Sequence, residues 1–164
     1  MMRSLILAAL VALGGCGLRP MYAGGSSGAV ASGLSAIQVA PIPERAGWLV
    51  RHALIDRLGG ESEHAAYRLE VELDDDLAGF GIRGDSAVTR ERRTLRARYR
   101  LVEIATGQVV LDATAGSDAG IDVVSSEYAT IAAEQSAQER LTQMIADQMV
   151  SRLALFIRNR TAER

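Results

Sequence analysis

Two stretches of alternating apolar and polar residues constrain the fold of this chain more than any other feature. Within Tyr67–Asp74 and again within Leu95–Leu101, every second residue is apolar or small and most of the residues between them are charged. Successive residues of a β-strand point to opposite faces, so each stretch predicts a strand with one apolar and one polar face. A sheet built from such strands needs a second layer over its apolar face.

Two helical segments are available to form that layer. Val50, Leu54 and Leu58 recur in steps of four ahead of the pair Gly59-Gly60, which predicts a first helix that ends at these glycines. A second helical face predicts a long last helix, roughly from Glu127 to Arg158. The apolar positions of that face are Ile131, Leu141, Met144, Ile145, Met149, Leu153 and Phe156.

Two further strands complete the predicted topology. Leu34–Ile42, closed by Pro41 and Pro43, predicts a first strand, and Val109–Ala115 predicts a last strand that forms a hairpin with Leu95–Leu101. The predicted order is β-α-β-β-β-α, with a right-handed first crossover. The predicted fold is therefore α+β, a two-layer sandwich in which a four-stranded sheet is covered by two helices.

The N-terminus predicts export and lipid attachment. Residues 1–15 combine Arg3, the apolar run Leu5–Leu13 and two glycines, which is typical of a signal peptide. The apolar run is roughly half of the about twenty residues that a transmembrane helix needs, so we expect cleavage. Residues 13–16, ending at Cys16, resemble the bacterial lipobox, which implies acylation of the Cys16 sulfur and anchorage in the bilayer. The alternative is an ordinary secreted protein with a chance cysteine near its cleavage site.

The segment after the predicted cleavage site has the composition of a linker. Residues 16–33 are rich in Gly, Ser and Ala and show no sustained strand or helix period. We therefore expect the lipidated cysteine and a flexible tether over residues 16–33, followed by a single α+β domain over residues 34–164.

The composition shows no catalytic or metal chemistry. Cys16 is the only cysteine, and neither His52 nor His64 has a neighbouring nucleophile or carboxylate pair, so we predict no enzyme, no metal site and no cofactor. The run Asp74–Asp76 would point to alternating faces and is interpreted as a solvated strand end. Gly79–Gly84 lacks the lysine of a phosphate loop and is interpreted as a loop or irregular strand end. The net charge of −2 gives no general attraction to nucleic acid.

Arginines along the predicted third strand are the candidate ligand-binding residues. They are Arg90, Arg92, Arg93, Arg96, Arg98 and Arg100. The last three could grip phosphates, but we interpret them as ion-pair partners of Glu70, Glu72 and Asp74 on the neighbouring strand. The first three lie closer to a loop and outnumber the nearby acids, so they are the best candidates for binding phosphate groups.

The C-terminal third of the chain resembles a known family. Val124–Thr130, running into Ala132–Gln135 and a long helix through Phe156, is similar to the alphaproteobacterial LPS-assembly lipoproteins (LptE-type). Three further segments support the resemblance by their order along the chain: Cys16–Tyr22, Pro43–Arg45 and Arg96–Gly107.

The resemblance implies a lipid-anchored protein on the periplasmic side of the outer membrane. It implies a plug inside the large LPS translocon barrel (LptD-type), a role in transporting LPS to the cell surface, and contact with LPS. The assignment of Arg90, Arg92 and Arg93 to the LPS phosphates rests on their charge and position and not on a family motif. Gly17 stands where an Asp would retain such a lipoprotein in the inner membrane, which favours the outer membrane. Two alternatives remain: an adaptor or lipoprotein subunit of a lipid-trafficking ABC system, and a lipid-anchored hydrolase.

Overall fold

The computed structural model describes residues 28–62, 64–82 and 88–162. The predicted signal peptide, Cys16 and the first part of the predicted tether lie outside these residues. In chain order, the described elements are α1 (Ala29–Ser35), β1 (Ile37–Val39), α2 (Glu44–Leu58), β2 (Tyr67–Ile82), β3 (Val88–Glu103), β4 (Val109–Asp122) and α3 (Glu127–Ala162).

The four strands form one sheet in the order β1-β2-β3-β4. β1 pairs with β2 in parallel, whereas β2, β3 and β4 form an antiparallel meander. The helices cover one face of this sheet, and we call the opposite, solvent-facing side the open face. The predicted α+β class and the β-α-β-β-β-α order are confirmed, with one additional helix, α1, ahead of β1.

α1 occupies the end of the segment that the sequence predicted to be a tether. Its side chains Val30 and Leu34 are buried, and a Cβ added to Gly33 would lie 2.3 Å from a methyl carbon of Ile157 on α3. The small residues that suggested a flexible linker thus allow two helices to approach closely. As a consequence, the predicted first strand shortens to Ile37–Val39 and the folded region begins before residue 34.

α2 ends at the predicted glycines and has the predicted buried face. Val50, Leu54 and Leu58 are almost completely inaccessible to solvent. The helix ends at Gly59, whose φ of 100° is the left-handed conformation that glycine adopts without a Cβ clash. Apolar residues at every fourth position, followed by glycine, therefore identified this helix correctly.

β2 and β3 extend well beyond their alternating segments, to 16 residues each. Residues 79–82 belong to β2, and the predicted irregular strand end is found at Gly81, where φ is 77°. The cross-strand pairing omits Gly81, and the Thr89 hydroxyl donates a hydrogen bond to the Gly81 carbonyl at 2.8 Å. Arg83 and Gly84 lie outside the described residues.

The core lies between the sheet and α3. Leu95, Tyr99 and Leu101 of β3 are buried beneath α3, and each fully buried side chain of this size contributes about 1.5–3 kcal/mol to folding. The α3 residues in this core include Leu141, Ile145, Met149 and Leu153. Two residues assigned to the buried face of α3 were predicted wrongly, since Ile131 and Met144 are 44% and 47% exposed.

The described helices lack the features of a membrane span. Within residues 28–62, 64–82 and 88–162, none of them combines the length and apolar content needed to cross a bilayer.

Candidate functional site

The open face of the sheet carries a row of arginines between two rows of carboxylates. The arginines belong to the central strand β3 and are Arg90, Arg92, Arg96, Arg98 and Arg100. The carboxylates belong to β2 and β4 and are Glu70, Glu72, Asp74, Asp76, Asp112, Asp118 and Asp122. Among these described residues the carboxylates outnumber the arginines, so they give the open face no excess of positive charge.

The arginines nearest the β3–β4 hairpin are paired with these carboxylates. Arg96 lies 4.0 Å from Asp74, and Arg100 lies 3.6 Å from Glu70 and 3.4 Å from Glu72, as the sequence predicted. Arg98 differs from the prediction, because it binds Asp112 of β4 through two nitrogens at 3.3 and 2.9 Å. The hydrogen bond from Arg98 lowers the pKa of Asp112 and raises the pKa of Arg98 itself. These exposed pairs organise the surface more than they stabilise the fold.

Arg90 and Arg92, two of the three candidate phosphate ligands, lie together at the distal end of the open face, near the β2–β3 connection. Arg90 Nε is 3.1 Å from Asp122, and Arg92 Nε is 3.8 Å from Asp118. The Arg92 guanidinium also lies 5.3 Å from the centroid of the Phe80 ring. Both side chains are more than half exposed, so a phosphate group could reach them, in competition with the aspartates.

Arg93, the third candidate, lies on the other face of the sheet. It donates two hydrogen bonds to Asp75, at 2.8 and 2.7 Å, and one to the Glu134 carbonyl of α3 at 3.4 Å. Gln138 of α3 donates to the same carboxylate at 3.0 Å. The Arg93 and Asp75 side chains are only 17% and 15% exposed. Arg93 therefore joins β2 and β3 to α3 and is separated from Arg90 and Arg92.

The aspartate run on β2 has two different roles. Asp74 and Asp76 are exposed on the open face, as predicted, but Asp75 points inward. The prediction of a strand end was wrong, because the run lies in the middle of β2. The hydrogen bond from Arg93 holds the pKa of Asp75 below its usual value, against the opposing effect of its burial. In the part of the chain that the structure describes, no group of three or more His, Cys, Asp or Glu side chains is arranged to hold a metal ion.

Sequence reasoning missed a carboxyl pair beside this network. Glu91 of β3 faces Glu134 of α3, and its Oε2 is buried without a hydrogen-bond partner in the described residues. Burial raises the pKa of Glu91, and the nearby Glu134 charge raises it further. The signal in the sequence was the placement of charged residues at positions 91 and 93, which continue the inward-facing positions of Leu95 and Ala97.

Both histidines are exposed, as predicted. His52 Nδ1 lies 3.0 Å from the carbonyl oxygen of Trp48, one turn earlier in α2, and its ring lies against the Trp48 indole.

Comparison with known proteins identifies the family. The family model described as lipopolysaccharide-assembly, LptE, matches residues 34–153, which include all four strands of the sheet, α2 and most of α3. The chain belongs to the LptE family of lipopolysaccharide-assembly proteins. The resemblance noted in the sequence is thereby confirmed. No curated protein sequence matches this chain.

Solved structures show the same fold. A protein of Caulobacter crescentus described as a lipoprotein is 29% identical, with 81% of this chain and 98% of that chain covered and a TM-score of 0.68. A minor lipoprotein of Acinetobacter baumannii is 14% identical, over 74% and 92% of the two chains, with a TM-score of 0.60. The rare lipoprotein B of Shewanella oneidensis is 11% identical, over 75% and 95%, with a TM-score of 0.59.

Proposed function

We propose that this protein is an outer-membrane lipoprotein, anchored on the periplasmic side by acylated Cys16, that plugs the LPS translocon barrel and assists its assembly. Membership of the lipopolysaccharide-assembly family over residues 34–153 is the observation that carries this proposal. The barrel partner is an LptD-type protein, and the transported substrate is LPS. The role requires a shaped surface and an anchor and involves no catalytic group.

The open face suits a protein that lies in a hydrated lumen. Its charged side chains form cross-strand ion pairs along β3, from Arg90–Asp122 at the distal end to Arg100–Glu72. Such a surface keeps its hydration in contact with a polar barrel interior. The core residues of β3, such as Leu95, Tyr99 and Leu101, are meanwhile buried under α3, so the domain keeps a rigid core while its polar face is available to a partner.

Arg90 and Arg92 are the proposed LPS contacts, since both guanidinium groups are exposed and adjacent. Arg93 was included with them in the sequence analysis, but its position between β2 and α3 gives it a role in positioning the distal strands. We expect Arg90→Glu combined with Arg92→Glu to weaken LPS binding without loss of stability. Arg98→Glu combined with Arg100→Glu reverses the same charge elsewhere on the open face and is the matched control. Equal loss of LPS affinity in both double variants would show a general charge effect and remove the proposed contact.

The plug role is tested by gentle detergent extraction of the protein from its own outer membrane, followed by affinity purification and mass spectrometry. Recovery of a large β-barrel in stoichiometric amount supports the proposal. Recovery with an inner-membrane ATPase system would replace it with the adaptor role, and recovery without a partner would contradict it. Mass spectrometry of the N-terminal peptide tests acylation of Cys16 in the same sample.

A further inference from the structure

Most of β2 is an edge strand with no neighbour among the described residues. β1 pairs only with Tyr67–Leu69, and the last bond between them runs from the Ala40 N–H to the Leu69 carbonyl at 2.9 Å. Pro41 and Pro43 have no N–H to continue the ladder, and the chain turns away into α2. Among the described residues, no strand therefore pairs with the outer edge of β2 from residue 70 onward.

The backbone groups on this open edge can be assigned from the register. Leu69 directs its carbonyl towards β1, and β2 pairs with β3 without a shift from Tyr67 to Phe80. In an antiparallel ladder alternate residues direct their N–H and C=O to the same side. The residues that direct both groups to the open edge are therefore Val71, Leu73, Asp75, Leu77 and Gly79.

The opposite edge of the sheet is blocked at its middle. The Gln148 side chain of α3 accepts a hydrogen bond from the Gly116 N–H of β4 and donates one to the Gly116 carbonyl, both at 3.3 Å. A side-chain amide thus occupies the place of the peptide group that a further strand would bring. β4 cannot accept a continuous additional strand while this contact exists, whereas the described residues provide no such block on β2.

Charge decides which strand fits the open edge. The side chains of Glu70, Glu72, Asp74 and Asp76 form an acidic row on the open face of β2. Pairing of two copies through this edge would set these rows against each other, and like charges on adjacent strands are destabilising. A strand with Arg or Lys at alternate positions would instead lie beside the acidic row on the same face.

We propose that the β2 edge from Val71 to Gly79 binds an extended segment of another protein, one with basic residues at alternate positions. Main-chain hydrogen bonds to the residues whose N–H and C=O groups are directed to the open edge would supply affinity. Ion pairs with the acidic row would supply specificity. The segment adds a strand to the sheet on the side that β1 leaves uncovered. This proposal does not depend on the identity of the partner barrel.

The test is NMR-detected amide exchange of the full protein in detergent, with a peptide of alternating Arg and Val as the probe. At a peptide concentration about ten times its Kd, exchange at Leu73, Asp75 and Leu77 slows by about tenfold. The amides of Asp74 and Asp76 face β3 and serve as internal references that do not change. A peptide of the same length with Glu in place of Arg is the charge control and should give no protection.

A substitution pair separates main-chain pairing from side-chain contacts. Leu77→Pro removes the leucine side chain together with an N–H that is directed to the open edge, a position where proline is tolerated, and should abolish the protection. Leu77→Ala removes the side chain and keeps that N–H, so the Arg peptide should still give most of the protection from amide exchange. Absence of protection by the Arg peptide in the folded wild type overturns the proposal. So does protection before peptide is added, because a second copy or another part of the chain would then already occupy the edge.

Discussion

Replacement of Arg93 tests whether the inward-facing charges hold the distal strands to α3. Arg93→Met keeps an unbranched apolar stem but removes both hydrogen bonds to Asp75 and the bond to the Glu134 carbonyl. Removal of one partner from a buried pair costs about 3–5 kcal/mol. Asp75 keeps its bond to Gln138 and a little solvent contact, so we expect the lower end of that range, about 3 kcal/mol.

The assay is urea unfolding followed by circular dichroism. With an m value of about 2 kcal/mol/M, a loss of about 3 kcal/mol lowers the unfolding midpoint by about 1.5 M. Arg90→Met is the matched control, because its ion pair is exposed and should contribute only about 0–1 kcal/mol. A second variant with both Arg93→Met and Asp75→Leu should recover part of the loss, since the Asp75 carboxylate that loses its arginine is then removed as well.

The pH dependence gives an independent check of the same pair. The folded-state pKa of Asp75 is lowered, so its carboxylate contributes stability above the unfolded-state pKa, and this stability is lost as the pH falls through the folded-state pKa. Wild type and Asp75→Asn should therefore differ at neutral pH and converge in acid. A shift in unfolding midpoint for Arg93→Met no larger than that for Arg90→Met would refute the role assigned to Arg93.

Three further predictions address other contacts. Glu91→Gln should raise the urea midpoint at neutral pH, because the raised pKa of Glu91 means that its charge is unfavourable in the fold, and the gain should disappear as the pH falls to the unfolded-state pKa; an unchanged midpoint at neutral pH would contradict this. Gly33→Ala should cost about 1–3 kcal/mol in urea unfolding through overpacking against Ile157, and Ile157→Ala in the same chain should relieve part of it; a neutral Gly33→Ala would show that α1 moves freely. Gln148→Leu should accelerate amide exchange at Gly116, and unchanged exchange would mean that Gln148 does not protect this edge.

The sequence predicted the fold where side-chain periodicity was regular. The alternation of apolar and polar residues placed the segments around Leu69 and Leu95 in strands, and apolar residues at every fourth position located α2. Both patterns show directly which face of the element is buried. α1 was missed because its residues are small, and small residues suit a linker and a close helix contact equally well. Only the position of Ile157 in the fold distinguishes the two.

The candidate site was predicted less completely, for a different physical reason. Charged residues at inward positions, such as Asp75 and Arg93, interrupt the apolar alternation. The aspartate run was therefore interpreted as a strand end, and Arg93 was grouped with Arg90 and Arg92. Part of the hydrogen bonding that stabilises the inward Asp75 carboxylate comes from Gln138 of α3, which is distant in sequence. Since these residues were already placed along the third strand, alternation counted back from Leu95 could have assigned Arg93 to the face opposite Arg90 and Arg92.

The packing of α1 has a mechanical consequence. The chain that precedes Gly28 enters the domain through α1, which rests on α3 near Ile157 and is followed directly by β1. A pulling force applied through that chain therefore acts first on the short α1–α3 contact. Detachment of this single helix would lengthen the connection to the domain while the sheet and the remainder of its core stayed folded, so α1 would yield before the surface that a partner recognises.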